Sequence, residues 1–99
     1  MNLDLFVLRS AKRDIAEADA YYAPYGKADA FLAALDQVFM QITDRPLMYP
    51  IIYEDVRRAL VRRFPYSVFF VLERTRAVVL AVHHQHRDPA SRPRRREFR

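Results

Sequence analysis

Three residues with the chemistry to cleave a phosphodiester come together in the predicted sheet. On the register derived below, Arg62, Ser67 and His83 lie side by side across three neighbouring strands. An arginine can stabilise a charged phosphate while a histidine moves a proton, which is the chemistry of RNA cleavage by general acid–base catalysis. The sequence shows no acidic residue beside His83, so a serine triad is not indicated. The alternative interpretation of this row is a solvated or partner-covered face of the sheet.

The histidines near the end of the chain raise the question of a metal site. His84 and His86 are two residues apart on a predicted strand and therefore share a face, but no third ligand stands at a recognisable spacing. We expect His84 at the rim of the core, opposite Tyr66. The chain has no cysteine and a single glycine, which excludes thiolate sites and glycine-rich phosphate loops. We therefore expect neither a metal nor a cofactor.

Basic residues are concentrated in the second half of the chain. The net charge is +5, but residues 1–50 carry five Lys or Arg against seven Asp or Glu, whereas residues 51–99 carry twelve Arg against five acids. A basic half of this kind predicts an anionic partner, and arginine can bind a carboxylate or phosphate with two hydrogen bonds. The candidate binding residues are strand arginines, a neighbouring aromatic residue and the arginine after the histidines: Arg57, Arg58, Arg62, Arg63, Phe69 and Arg87.

The first half of the chain predicts a helical hairpin. Ser10 is a favourable N-cap for a helix over residues 11–23, with Asp14 near its positive end. Proline and glycine within residues 24–26 predict a tight turn, and a second helix with a wide apolar face follows over residues 27–43. The short connection makes the two helices antiparallel neighbours.

The second half predicts strands. Apolar residues alternate with polar ones over residues 3–7, and the pattern becomes strand-like again from Val56 onward, in three segments. The expected fold is α+β, in the order β-α-α-β-β-β, with the helical hairpin packed on one face of a mainly antiparallel sheet. Residues 1–89 form a single domain and residues 90–99 a basic tail. No apolar stretch exceeds six residues, so we expect a soluble cytoplasmic protein without a membrane span.

The alternation of apolar residues also predicts the register of the last three strands. A short turn pairs Val61 with Val68. A three-residue turn at positions 74–76 pairs Phe70 with Leu80 and Val68 with Val82. The face covered by the helices is then Val61, Val68, Phe70, Leu72, Val78, Leu80 and Val82. The opposite face is Arg58, Leu60, Arg62, Ser67, Phe69, Val71, Val79, Ala81 and His83.

Several short motifs are spread over residues 3–89: Arg62-Arg63-Phe64-Pro65-Tyr66, Phe69-Phe70, His84 followed by Arg87-Asp88-Pro89, the early Ser10, Ala11, Asp14 and Ile15, and Tyr21-Tyr22. Together these motifs resemble the RelE/ParE superfamily of toxins from bacterial type II toxin–antitoxin modules. The sequence departs from many relatives at Arg92, where they carry a tryptophan.

The resemblance implies a growth-inhibiting toxin that a cognate antitoxin neutralises, typically through a flexible acidic segment. ParE-like members bind DNA gyrase, and RelE-like members cleave messenger RNA on the ribosome. This chain has no lysine after residue 27, so the lysine-rich set of RelE-like cleavage is missing, and the strand end at His84 is more ParE-like. We therefore expect gyrase binding without catalysis. The alternative is an mRNA endoribonuclease that uses Arg62 with His83 or His84, together with Arg58.

Overall fold

The computed structural model describes residues 2–87 together with Ser91 and Pro93. In this part of the chain, two helices pack on one face of a five-stranded sheet. The elements are β1 (Asp4–Val7), α1 (Arg9–Tyr22), α2 (Ala28–Asp44), β2 (Ile51–Tyr53), β3 (Val56–Leu60), β4 (Tyr66–Leu72) and β5 (Arg76–His84), with single 3₁₀ turns at Ala23–Tyr25 and Pro46–Met48. The predicted α+β order is confirmed, and the structure adds the three-residue strand β2.

The strands lie side by side in the order β1-β5-β4-β3-β2. The pair β1–β5 is parallel, and the other three neighbouring pairs are antiparallel. The crossover from β1 to its parallel neighbour therefore contains the helical hairpin and three strands. Apart from Ser91 and Pro93, the predicted basic tail over residues 90–99 lies outside the described residues.

The helical hairpin turns at Gly26. This residue has φ of 69°, a left-handed conformation that glycine adopts without steric cost, and it follows the 3₁₀ turn that contains Pro24. The helix α2 then buries one apolar stripe at helical spacing: Phe31, Leu35, Val38 and Ile42. Within the described residues, no helix is long and apolar enough to cross a membrane.

The predicted role of Ser10 as the N-cap of α1 is wrong. The helix begins at Arg9, and its N-cap residue Leu8 makes no side-chain capping hydrogen bond. Ser10 already lies inside the helix, where its hydroxyl donates a hydrogen bond of 3.1 Å to the backbone carbonyl of Leu80. The hydroxyl therefore joins α1 to β5 and does not cap the helix.

The predicted register of β3 against β4 is shifted by two residues. Ala59 pairs with Val68 and Leu60 pairs with Ser67. The Val61 N–H donates to the Tyr66 carbonyl at 2.9 Å, so the connecting loop has four residues. A shift of two preserves the face to which each side chain points, because successive strand residues alternate between faces.

A β-bulge at Leu80 changes the predicted faces of β5. Phe69 pairs with Ala81, but its neighbour Phe70 pairs with Val79. Val79 therefore joins the core under the helices, whereas Val78 and Leu80 belong to a second apolar cluster, the reverse of the prediction for all three. The predicted three-residue turn is also wrong, because Glu73 N–H donates to the carbonyl of Arg76 and leaves a two-residue turn.

Candidate functional site

The strand end that carries His83 meets an acidic residue from the first helix. His83 pairs with Ser67 on β4, and both side chains are buried. The Nε2 atom of His83 lies 3.7 Å from Oδ2 of Asp14, and a guanidinium nitrogen of Arg87 lies 3.8 Å from the other carboxylate oxygen. The sequence-based expectation that no acid lies beside His83 is therefore wrong. These three side chains form one cluster at the end of β5.

Asp14 is held in this cluster by the backbone of β5. Its Oδ2 atom accepts a hydrogen bond of 3.0 Å from the Val82 N–H. Burial raises the pKa of the Asp14 carboxyl, while the Val82 N–H and the charge of Arg87 act in the opposite direction. The carboxyl is thus a partly desolvated group that is stabilised by one backbone donor and one cation.

Asp14 and Ser10 together cover the edge of β5 that faces away from β4, beyond the point where β1 ends. The strand β1 pairs with β5 only from Arg76 to Val79. Beyond that point Ser10 donates to the Leu80 carbonyl and Asp14 accepts from the Val82 N–H. Residues four apart on a helix share a face, so α1 presents both groups to the same strand edge. Unpaired backbone groups on such an edge would otherwise be open to pairing with another chain.

The imidazole of His83 is neutral at neutral pH. Burial, and after it the positive charge of Arg87, lowers the pKa of His83 from 6.5 to about 4. The contact with Asp14 is therefore a polar contact and not an ion pair at neutral pH. A side chain titrating so far below neutrality is poorly matched to general acid–base catalysis in the cell, which works best with a pKa near the operating pH.

A concave site of about 600 Å³ opens beside His83 on the face of the sheet away from the helices. We call it the histidine cavity. It is lined by Ile52, Tyr53, Arg58, Leu60, Ser67, Phe69, His83, His84, Gln85 and Arg87. Its cations are Arg58 and Arg87, so the cavity can bind an anionic group.

The predicted row Arg62–Ser67–His83 is only partly formed. Ser67 and His83 are direct neighbours, but the residue opposite Ser67 on β3 is Leu60, because of the two-residue shift in register. Arg62 lies in the four-residue loop after β3 and lines a different concavity. Arg58 is the arginine of β3 that shares a cavity with His83.

The second concavity runs between α2 and the end of β3 and has a volume of about 930 Å³. We call it the α2–β3 groove. Small and uncharged residues of α2 form one side, and Lys27, Arg62 and Arg63 supply its charges. Among the described residues no carboxylate lines this groove, so the charged groups that line it are all positive. The lining residues are Lys27, Ala30, Ala33, Ala34, Gln37, Val38, Gln41, Leu60, Arg62, Arg63 and Phe64.

The remaining predicted site residues differ in accessibility. Arg57 is half-buried, and its guanidinium donates a hydrogen bond of 2.6 Å to the Tyr49 carbonyl. Phe69 is 9% exposed, and it lines the histidine cavity. His84 pairs with Tyr66 at the rim of the core, as predicted, with ring centroids 5.2 Å apart.

Sequence reasoning did not predict the part that Asp14 plays in this cluster. The contact joins residues 68 positions apart, from Asp14 to Val82, and no local pattern predicts it. The available signal was the four-residue spacing of Ser10 and Asp14 on a helix that follows the first strand. Such a pair can present two hydrogen-bonding groups to one strand edge.

The helical hairpin and the five-stranded sheet follow the α+β order that the sequence motifs implied. A family model described as ParE toxin of type II toxin-antitoxin system, parDE, matches residues 5–89. The chain therefore belongs to the ParE toxin family of type II toxin–antitoxin systems.

Comparison with solved structures supports the fold. The chain is similar to a structure described as the chromosomal ParDE TA system from P. aeruginosa, with a TM-score of 0.73 and 17% sequence identity. The match covers 83% of this chain and 95% of that chain. A comparison with curated proteins finds no significant match.

Proposed function

We propose that this protein inhibits bacterial growth by binding DNA gyrase in the cytoplasm, without breaking a bond itself, and that a cognate antitoxin neutralises it. The observation that carries the proposal is the match of residues 5–89 to the ParE toxin family. In this proposal Arg58 and Arg87 contact the target. Both are exposed and line the histidine cavity, where a guanidinium can bind a carboxylate with two hydrogen bonds.

The arrangement of the cationic residues also favours binding over catalysis. Arg62 lines a different concavity from His83 and His84, the two histidines that the nuclease hypothesis offers as its partner. The low pKa of His83, about 4, makes it a weak base at neutral pH. Exposed arginines around an apolar surface are suited to docking on a protein with acidic side chains.

Inhibition of gyrase supercoiling by the purified toxin tests this proposal. We expect inhibition by the wild type and a loss of at least tenfold in Arg58→Glu, because reversing a charge replaces an attraction by a repulsion worth about 1.4 kcal/mol or more. The matched control is Arg45→Glu, an exposed arginine outside both concavities, which should inhibit like the wild type. Supercoiling that the wild-type protein leaves untouched would contradict gyrase as the target.

A second candidate function is cleavage of ribosome-bound messenger RNA. The observation in its favour is that Arg58, His83, His84 and Arg87 share one cavity, which could hold a phosphate beside two imidazoles. General acid–base catalysis contributes about 100-fold to 10,000-fold in rate, so His83→Gln or His84→Gln should nearly abolish a nuclease. The exposed His86 does not line the cavity, so His86→Gln is the matched control. Codon-positioned cuts that vanish in one of the two cavity variants, with supercoiling unchanged, would replace gyrase by the ribosome.

The α2–β3 groove is the proposed binding site of the antitoxin. Its alanine-rich wall allows the close approach of another helix, and Leu60, which is 57% exposed, offers an apolar contact at its edge. Lys27, Arg62 and Arg63 favour an occupant with carboxylates on its flanks. An amphipathic acidic segment meets all of these requirements.

The salt dependence of antitoxin binding tests this assignment. Exposed charge pairs at a rim act mainly on the association rate. We therefore expect Arg62→Ala and Arg63→Ala each to slow association several-fold at low salt and to reduce its dependence on ionic strength. Lys12→Ala removes an exposed cation of α1 outside the groove and should leave the rate unchanged. Equal effects of all three substitutions would indicate a general charge effect and contradict binding in the groove.

A further inference from the structure

The histidine cavity contains a buried hydroxyl that has no hydrogen-bond partner in the described part of the chain. Ser67 is 4% exposed and lines this cavity. Among the described residues, every side-chain nitrogen or oxygen that is sealed from solvent has a hydrogen-bond partner. The Ser67 hydroxyl has none in that part of the chain, so it must open into the cavity. A buried polar group without a partner costs free energy and calls for an explanation.

The strand register places Ser67 between an apolar and a polar neighbour. Ser67 pairs with Leu60 on β3 and with His83 on β5, and paired residues point to the same face of a sheet. Arg58 pairs with Phe69, which puts it diagonally across from Ser67. Diagonal neighbours lie about 7–8 Å apart, a distance that the long arginine side chain can span. The Arg58 guanidinium can therefore reach the space above the Ser67 hydroxyl.

The charges around the cavity favour an occupant with a single negative charge. Arg58 and Arg87 are the charged residues that line it. A guanidinium nitrogen of Arg87 lies 3.8 Å from the Asp14 carboxylate, which offsets its charge, and His83 is neutral at neutral pH. Arg58 is exposed and has no ion-pair partner among the described residues. A monoanion would balance Arg58 and accept a hydrogen bond from Ser67.

The lining of the cavity suits an acidic side chain of a protein better than a nucleic acid. A nucleic acid presents a row of phosphates, and proteins bind it with several cations. The described lining offers Arg58 and the partly neutralised Arg87, and the apolar Ile52 and Leu60 lie in the same lining. Protein interfaces combine apolar area with a few charged contacts in this way.

We infer that the histidine cavity binds one carboxylate of the target protein, from an Asp or Glu side chain with apolar neighbours. The Ser67 hydroxyl and the Arg58 guanidinium both donate hydrogen bonds to this carboxylate. A volume of about 600 Å³ lies within the range of sites that bind small ligands, so one such side chain fits. The inference rests on the proposed function in one respect, namely that the partner in this cavity is a protein target.

Binding of benzoate tests the site without the target. Benzoate is a carboxylate on an apolar ring, benzamide is its neutral analogue, and dimethyl phosphate carries the single charge of a nucleic-acid linkage. In NMR titrations of the full-length protein, we expect benzoate to shift the signals of Ser67 and His83 and to bind more tightly than the other two probes. Benzamide binding as tightly as benzoate, or dimethyl phosphate binding more tightly, would overturn the inference.

Two variants identify the groups that bind the carboxylate. A hydrogen bond to a charged group contributes a factor of about ten or more, so Ser67→Ala and Arg58→Gln should each weaken benzoate binding at least about tenfold. Ser67→Ala should not lower the midpoint of thermal unfolding, because the hydroxyl it removes has no partner in the described part of the chain. The matched control is Thr75→Ala, which removes an exposed hydroxyl outside the cavity. Unchanged affinity in Ser67→Ala, or an equal loss in Thr75→Ala, would overturn the role of Ser67.

Inhibition of gyrase supercoiling separates this inference from the proposed function. Ser67→Ala should inhibit at least about tenfold less well than the wild type, and full inhibition by this variant would overturn the assignment of the carboxylate to the target. Benzoate binding by a wild-type protein that leaves supercoiling untouched would contradict gyrase as the target and support the carboxylate site. Failure of benzoate to bind to a protein that does inhibit gyrase would overturn the site and leave gyrase as the target.

Discussion

Removal of the Asp14 carboxylate tests how α1 is attached to the sheet. The substitution Asp14→Ala leaves the Val82 N–H without its acceptor, on a stretch of β5 that β1 does not pair. It also removes the carboxylate from the neighbourhood of His83 and Arg87. We expect a local loss of stability at the end of β5 and a smaller global loss.

The magnitude follows from three opposing contributions. Leaving a buried donor unsatisfied costs about 1–3 kcal/mol. Alanine is a better helix former than aspartate by roughly 0.5 kcal/mol or slightly more, and the substitution also relieves the desolvation that raises the pKa of Asp14. The expected net destabilisation is therefore about 1 kcal/mol, which lowers the midpoint of thermal unfolding by about 4–8 °C in a domain of this size.

Urea denaturation and hydrogen exchange together measure this effect. The Val82 amide should lose protection by more than the global stability falls, whereas the Val68 amide, in a central strand, should follow the global value. Asp14→Asn keeps an acceptor and should lose less than half as much stability. Asp36→Ala makes the same substitution on the exposed side of α2 and should cost nothing measurable. An Asp14→Ala variant as stable as Asp36→Ala, with Val82 fully protected, would refute this account of the contact.

Three further predictions concern stability. The pKa of His83 is about 4 in the folded protein and 6.5 in the unfolded chain, so the unfolded chain binds the proton more tightly. The free energy of unfolding should therefore fall by up to about 1.4 kcal/mol per pH unit as the pH drops from 6.5 to 4. In urea titrations across that range His83→Gln should have a flatter pH profile than the wild type, and parallel profiles would contradict the shift. Gly26→Ala should destabilise the protein by about 1–2 kcal/mol in chemical denaturation, because the left-handed backbone at this position is unfavourable for alanine. A steric clash does not contribute, since an added Cβ would meet no atom within 4 Å. A neutral result would contradict the left-handed conformation. Arg57→Leu should cost about 1 kcal/mol by the same assay through its lost hydrogen bond to the Tyr49 carbonyl, and unchanged stability would show that this bond contributes nothing.

The sequence predicts the secondary structure well because the apolar periods are clear. The apolar residues of α2, such as Phe31 and Leu35, are buried together only if the segment has the helical period. The apolar residues from Val56 onward are buried together only with the period of a strand. The pairings of Ser67 with His83 and of Val68 with Val82 are also confirmed. These pairs lie in strands whose two faces are both apolar, so their register depends on turns as well as on pattern.

The errors in the predicted faces of β5 have a common cause, which is a pair of irregularities whose register shifts cancel each other. The two-residue turn between β4 and β5 shifts the register by one residue, and the bulge at Leu80 shifts it back before Ala81. Sequence reasoning allowed neither irregularity, and so it assigned Val78 and Val79 to the wrong faces. The contact of Asp14 with Val82 could not be predicted either, because it depends on where α1 crosses the unpaired edge of β5.

The position of Leu60 links the two concavities and bears on how an antitoxin would neutralise the toxin. Leu60 is the last residue of β3, whereas β2 pairs only with Val56 and Arg57, so this end of β3 has no outer neighbour among the described strands. Its exposed side chain lines both the α2–β3 groove and the histidine cavity. Under the proposed function, an acidic segment in the groove would contact Leu60, and the target must approach the same residue from the histidine cavity. Neutralisation would then follow from steric exclusion at Leu60, even if Arg58 stays uncovered.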